Sequence, residues 1–425
     1  MKRLIQQLIG LTAVLCTGIY LPANAQDTIH ISLPEAEKQF TQKNLQLLAE
    51  KYNIDIAKAA ALQARLYNNP TLTLSGNLYD PANKKLFNVS NANGQYDVAL
   101  QQLVRLAGKR NKEIRLAETN TAMSENRFFD LLRTLRYSLR STFYDLFFLQ
   151  QSLAAYTGQI SSLEKLSDSY DALESKGVVT MKDAVRIKSL LYSLKAEQTG
   201  LQNQEAEFEA TLRLLLQDNK SWYRPDVAET ALSESKLNSL TLGGLIDSAY
   251  ANRYDLKLAG NTVLYNQQNY RLQKALATPD LTLGAEFDKR GSFVDNASFL
   301  TLAIDLPFFN RNQGNIKAAK LSIDQSKVQY DLQKQTVEND VQKAYSKLVN
   351  TSRMLRGIDP GFYQQMDQLL EGITDNFKKK NLSLIELTDF YDSYKTNMLQ
   401  YNQLHDAEMQ AAEDLQFAIG KTIFN

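Results

Sequence analysis

Histidine occurs twice in this chain, at 30 and 405, and cysteine once, at 16. Neither histidine belongs to a cluster with metal-ligand spacing, and His405 reads as a packed residue in a helix seam. Gly108-Lys109-Arg110 resembles the end of a phosphate-binding loop, but the preceding Gly and the following Ser or Thr are missing. There is no G-x-S-x-G elbow and no dinucleotide fingerprint. These absences exclude an enzyme, a metal centre and a cofactor site. What remains are carboxylates in unusual places. Asp97, Glu286 and Asp305 fall on the polar faces of alternating strands, and Glu386 and Asp389 stand one turn apart at the start of a helix. A strand facing a dry core rarely carries carboxylates, so these mark a wet face.

The strands that carry them alternate with period 2. In 281–287, Leu281, Leu283, Ala285 and Phe287 share a face opposite Thr282, Gly284 and Glu286. In 299–306, Leu300, Leu302, Ile304 and Leu306 oppose Thr301, Ala303 and Asp305. An earlier pair repeats the pattern. Leu72, Leu74 and Leu78 oppose Thr71, Thr73, Ser75 and Asn77, and Tyr96, Val98 and Leu100 alternate with Asp97, Ala99 and Gln101. Each strand is near the length that crosses a bilayer when tilted. Pro70 and Pro279 open the two pairs 209 residues apart, so the chain reads as a duplication.

Long helices surround the strands. Residues 33–67 predict one helix with a small-residue face, and the Asn- and Lys-rich stretch 80–95 an exposed loop. From 107 to 176 there is no proline, and Phe128, Leu132, Leu135, Leu139, Thr142, Leu146, Leu149 and Leu153 form a heptad seam. Further helices are expected over 181–217, 314–356 and 385–419, with Gly357-Ile358-Asp359-Pro360-Gly361 breaking the third. The chain divides into a leader (1–25), a first repeat (26–220), an irregular connection (221–241) and a second repeat (242–425). The leader has Lys2 and Arg3, a short apolar run and Ala23-Asn24-Ala25 before Gln26, the pattern of a cleaved secretory signal. Without it the net charge moves from +1 to about −1 and no cysteine remains. That excludes disulfide and thiol chemistry and leaves no basic excess for nucleic acid. After residue 25 no apolar run is long enough for a spanning helix, so a membrane crossing has to be a closed β-barrel. Four strands are too few to close one alone; copies must share it. The polar faces, with Thr71, Thr73, Asp97, Gln101, Thr282, Glu286, Thr301 and Asp305, are then candidates for the lumen.

Two helical hairpin tips stand out. One runs Lys176-Gly177-Val178-Val179-Thr180, the other Lys380-Asn381-Leu382-Ser383. Gly and Asn tolerate the left-handed backbone after a helix; Thr180 and Ser383 are N-caps with an acid three residues on. Val178, Val179 and Leu382 are expected as exposed apolar tip residues, closing the turn as staples or docking a partner.

The chain resembles the TolC family of outer-membrane efflux ducts, the CzcC/CusC type in particular. The likeness rests on Asn69-Pro70-Thr71-Leu72, its echo Thr278-Pro279-Asp280-Leu281, the turn Leu306-Pro307-Phe308-Phe309-Asn310-Arg311-Asn312-Gln313-Gly314 and the two tips, and it covers essentially the whole chain after the leader. It implies a mainly α fold with a small β part: a duplicated coiled-coil tunnel in the periplasm, and four strands per protomer in a trimeric 12-stranded barrel in outer-membrane lipid. It implies a homotrimer that works with a periplasmic adaptor and an inner-membrane pump in metal or drug export. Gly177, Val178, Val179, Asn381 and Leu382 are the docking candidates, and Glu386 and Asp389 the candidates for an acidic periplasmic aperture. The alternatives are a poreless periplasmic coiled-coil adaptor and a type I protein-secretion duct. Three features depart from the family: there is no lipid-anchoring cysteine after the leader, Asn381 stands where a glycine is usual, and a break follows Arg356.

Overall fold

The computed structural model describes residues 28–228, 232, 234–290, 294–359, 361–379 and 381–424, so the expected leader lies outside the described residues. The chain begins with β1 (Thr28–Ser32), α1 (Leu33–Lys43) and α2 (Leu45–Ala64). The single helix expected over 33–67 is therefore two, broken at Asn44. Asn44 holds extended backbone (φ −63°, ψ 117°) and accepts hydrogen bonds from the N–H groups of Gln46 and Leu47. Its Nδ2 donates to the Leu215 carbonyl at 3.1 Å. An asparagine side chain satisfies the open N–H groups of a new helix while giving up the old one.

Strands β2 (Thr71–Gly76), β3 (Tyr79–Asp80), β4 (Lys85–Leu86) and β5 (Tyr96–Val104) follow. Residues 80–95 are not a plain exposed loop. They hold the β3–β4 hairpin, and Asp80 accepts from Asn83 and from the buried Asn88, at 2.7 and 2.8 Å. Next come α3 (Lys109–Glu174) and α4 (Met181–Leu216). At 66 residues, α3 is roughly 100 Å long.

The stretch 221–241 contains β6 (Trp222–Asp226) and α5 (Glu234–Asn238). β6 pairs in parallel with β1, Thr28 opposite Trp222 through Ser32 opposite Asp226. Pro225 disguises this strand in the sequence, because proline is expected only where a ladder has a free edge. The second repeat has α6 (Leu242–Asn252), α7 (Tyr254–Leu276), β7 (Leu281–Arg290), β8 (Asp295–Ile304), α8 (Gln313–Arg356), α9 (Phe362–Lys378) and α10 (Leu384–Ile419).

The 209-residue offset between the prolines recurs in the backbone. Ser32 caps α1 and Thr241 caps α6. Asn44 breaks α1 from α2, and Arg253 breaks α6 from α7 with nearly the same dihedrals (φ −71°, ψ 119°). Each repeat also ends its last long helix on a left-handed residue, Gln217 (φ 55°) and Gly420 (φ 70°).

Three apolar clusters hold the elements together. One gathers Phe40, Leu139, Phe143, Leu146 and Leu212 of the first repeat with Tyr223 of β6. A second gathers Leu245, Leu256, Val337, Val341, Leu348 and Leu415 of the second. The third joins the repeats toward the tips, with Tyr156 and Leu163 of α3, Leu194 of α4, Phe377 of α9 and Leu387 of α10. The expected seam of α3 is buried at Leu139, Thr142, Leu146 and Leu149. His405 is buried against the Phe148 and Tyr401 rings.

Candidate channel wall and hairpin tips

The two strand pairs form one antiparallel sheet in the order β2-β5-β7-β8. The join between repeats is β5 on β7, with Ala99 opposite Glu286 and Gln101 opposite Gly284. The registers put Thr71, Gln101, Gly284 and Thr301 in one row across all four strands, and Thr73, Ala99, Glu286 and Phe299 in the next. Asp97 shares that face through Ser75, whose hydroxyl donates to it at 2.7 Å. Thr282 pairs with Ala303 and Leu103 on the same face. Thus Thr71, Thr73, Asp97, Gln101, Thr282, Glu286 and Thr301 come together. Asp305 lies one residue past the end of β8.

The opposite face carries Leu72, Leu74, Leu100, Leu283, Leu300, Leu302 and Ile304, all exposed; Leu300 reaches 88%. On the polar face, by contrast, Ala99 and Gly284 are buried and Glu286 is half-buried. The crowding is local to the β5–β7 join, since Thr71, Thr73, Gln101 and Phe299 of the same face are exposed. Gly284 is required there: a Cβ would stand 2.3 Å from the Thr301 hydroxyl oxygen.

Each pair of strands leads into its long helix through a left-handed turn. Ala107 (φ 53°) and Gly108 (φ 65°) precede α3, and Asn312 (φ 58°) precedes α8. Asp280, just before β7, accepts from the Leu106 N–H at 2.9 Å and from the buried Lys109 Nζ at 2.7 Å. That ion pair locks the start of the α3 wall to the second strand pair. The sequence alone shows Lys109 as a fragment of a phosphate loop; its partner is 171 residues away, beyond local pattern. In the second repeat, Asn312 Nδ2 donates to the Gln273 carbonyl at 2.8 Å.

At the first tip the Val178 N–H donates back to the Leu173 carbonyl at 2.9 Å, with Gly177 at φ 70°. Thr180 Oγ1 accepts from the Asp183 N–H. At the second tip the Asn381 N–H donates to the Asn376 carbonyl at 2.9 Å. The first is a helix ending of the Schellman type; at the second, Asn381 is not among the described left-handed residues, as its type suggests it would be, and the helix is closed by the backbone bond back to Asn376. Val178 is exposed. Val179 and Leu382, however, are half-buried rather than exposed. Leu382 packs into the same cluster as the buried Leu387, four residues into the next helix from its cap, as a hydrophobic staple does.

Glu386 is committed locally. Its Oε2 accepts from the Ser383 N–H at 2.8 Å and from the Ser383 hydroxyl at 2.7 Å. Those bonds, the backbone one foremost, hold its carboxyl below the usual range. Asp389 is exposed one turn on. Lys380 and Pro360 lie outside the described residues. Among the described residues no cluster of three metal-ligating side chains occurs, and no helix is long and apolar enough to cross a membrane.

Residues 245–356 match the family model of outer membrane efflux proteins. The chain is 20% identical over 383 residues to the cobalt-zinc-cadmium resistance protein CzcC of Cupriavidus metallidurans, covering 89% of this chain and 87% of CzcC. Its fold matches CusC with a TM-score of 0.71, covering 92% of each chain at 15% identity. It matches the outer membrane protein VceC of Vibrio cholerae at the same TM-score, covering 92% of this chain and 97% of that one at 16% identity. With the duplicated helix–strand–helix plan and the four-stranded sheet, the chain has the fold of these solved structures, and its stretch 245–356 is similar to the outer membrane efflux proteins.

Proposed function

We propose that this chain is the outer-membrane channel of a tripartite efflux system, a passive duct built by three copies. The observation that carries this is the sheet: one face exposes the apolar Leu72, Leu74, Leu300 and Leu302, and the other carries the polar row Thr71, Gln101 and Thr301 with Glu286 beside it. Its outer strands, β2 and β8, each have one paired neighbour among the described residues. An open edge flanked by exposed leucines is an aggregation hazard in water. In a bilayer, β2 of one copy laid on β8 of the next removes both edges, and three copies give a closed barrel of twelve strands. The roughly 100 Å of α3 then continues the lumen beneath the membrane.

Within this reading, Thr71, Thr73, Asp97, Gln101, Thr282, Glu286 and Thr301 line the barrel. Gly177, Val178 and Asn381, with Val179 and Leu382 bracing the turns, present the tips to a periplasmic adaptor, beyond which the inner-membrane pump supplies the energy. Asp389, exposed beside the capping Glu386, is the better placed of the two acids to face the aperture. A poreless adaptor has no use for a sheet with one apolar, exposed face.

Pairs of cysteines on the apolar face test the closure: Leu72→Cys or Leu74→Cys on β2 with Leu300→Cys or Leu302→Cys on β8. The only native cysteine is Cys16, so the background is clean. Oxidation in membranes is expected to give a ladder of bands that stops at three chains. Bands continuing beyond three, or no cross-link for any pair, would overturn the closed trimer.

A further inference from the structure

We infer that each chain carries a binding site for a small oxyanion, a free phosphate or carboxylate, in the helical region. A cleft of about 220 Å³ lies between α3, the start of α7 and the end of α10, lined by Arg133, Arg136, Arg140, Glu413, Gln416 and Lys421 among others. Three arginines at steps of three and four fall on one stripe of α3. Two of them are spoken for. Arg133 donates to Asp130 and to the Phe417 carbonyl, both at 2.7 Å. Arg140 is held by Glu413 at 2.8 Å and Glu37 at 3.1 Å, which also uses up the one carboxylate on the cleft wall.

Arg136 differs. Its Nε is buried with no hydrogen-bond partner among the described residues, and it takes part in no ion pair there. Facing the same cleft, Gln416 is 6% exposed. Its Oε1 accepts from the N–H groups of Ile423 and Phe424, at 2.9 and 3.0 Å, which fixes the amide; its Nε2 is buried with no acceptor at hydrogen-bond distance among the described residues, and is turned only loosely to the Glu413 carboxylate that Arg140 already holds. Buried donors left open cost free energy unless something accepts from them. Two such donors, one of them on the guanidinium of Arg136 and the other an amide, call for an anionic acceptor with several oxygens, the group that a planar guanidinium binds best. The exposed Lys421 at the rim adds a further positive charge. Arg136 stands 27 residues along α3 from Lys109, about 40 Å from the sheet. A phospholipid headgroup in the membrane is out of reach, so the ligand is a free ion.

The test is calorimetric titration of inorganic phosphate into the detergent-solubilised full chain at fixed ionic strength, beside Arg136→Gln. Arg136 makes no side-chain hydrogen bond or ion pair among the described residues, so the variant is expected to assemble normally, which its melting temperature checks. Saturable binding of one phosphate per chain, weakened at least 10-fold in Arg136→Gln and less in Lys421→Gln, supports the site. No saturable binding to the wild type, or equal binding in both proteins, overturns it. So does a silent titration with an oligomer that Arg136→Gln weakens, because a neighbour's carboxylate would then be the true partner.

Discussion

In the first repeat the long helix α3 runs unbroken from Lys109 to Glu174; in the second, the matching helix stops at Arg356 and resumes at Phe362. The break has its own bonding. Ile358 N–H donates to the Leu355 carbonyl at 3.2 Å, Asp359 Oδ1 accepts from the Gly361 N–H at 2.9 Å, and the Phe362 N–H donates to the Asp359 carbonyl at 3.0 Å. A short-range turn therefore replaces the i→i−4 ladder. Two glycines flank it, and glycine in a helix interior costs about 0.5–1 kcal/mol relative to alanine. The other end of each repeat shows a subtler contrast. Asn44 and Arg253 make the same backbone corner, one with a neutral cap and the other with a buried guanidinium held by Asp255 at 2.5 Å and Asp340 at 2.8 Å. One backbone plan is thus stabilised by different chemistry in its two copies, so equivalent positions respond unequally to substitution.

The corner residues give the largest expected difference. Arg253→Ala leaves two acids beside a buried gap and is expected to cost about 3–5 kcal/mol. Asn44→Ala loses a cap and is expected to cost about 1–2 kcal/mol. Thermal unfolding in detergent compares them, and equal losses would contradict the assignment.

A second contrast concerns the faces where the unbroken α3 meets α10. Burial, together with the nearby Asp406, pushes the Asp145 carboxyl up to about 7. Gln410 Nε2 donates to it at 2.9 Å. The unfolded chain ionises at the ordinary 3.8, so between that value and about 7 the folded state keeps a proton the unfolded state has lost. Stability therefore falls as pH rises through that window and levels off above it. Asp145→Asn is expected to raise stability by about 2 kcal/mol at pH 8, after discounting for solvent screening, and hardly at all at pH 4. A gain that does not depend on pH would refute this.

Filling the break sharpens the comparison further. Replacing residues 358–361 with four alanines should make the second repeat resemble the first, slowing hydrogen exchange in α9 several-fold while α3 stays unchanged. Unchanged exchange in α9 would mean that packing, not the break, sets its mobility.

The smallest effects are at the tips. Ser383→Ala removes a reciprocal capping box and Thr180→Ala a simpler cap, each worth about 1 kcal/mol locally, the former somewhat more. Glu386 has a lowered folded pKa, so its support for the cap is present above 4.5 and lost as pH falls through its folded value. Exchange of the first α10 amides at pH 7 and pH 4 reads this. Faster exchange at pH 7 than at pH 4, after correction for intrinsic rates, would reverse the sign.

Much of this architecture is written in short-range pattern. Period-2 alternation located the four strands, and heptad spacing located the core of α3 at Leu139, Leu146 and Leu149. Tip chemistry located both hairpins, because a cap and its acid sit three residues apart. The features that stayed hidden depend on distant partners. Asn44 reads as an ordinary helix residue until Leu215 is placed beside it. β6 is five residues long and contains a proline, and it becomes a strand only against β1. Lys109 finds Asp280 and Arg136 finds its cleft only through the fold. Leu382 looks exposed in a tip sequence, yet the cluster around Leu387 covers it.

Single-channel recording of the purified protein in a planar bilayer, wild type beside Glu286→Gln, tests the duct most directly. Discrete, long-lived conductance steps are predicted, with cation selectivity that drops when the Glu286 charge is removed from the polar face. Protein that stays soluble without detergent and gives no conductance steps would contradict the account.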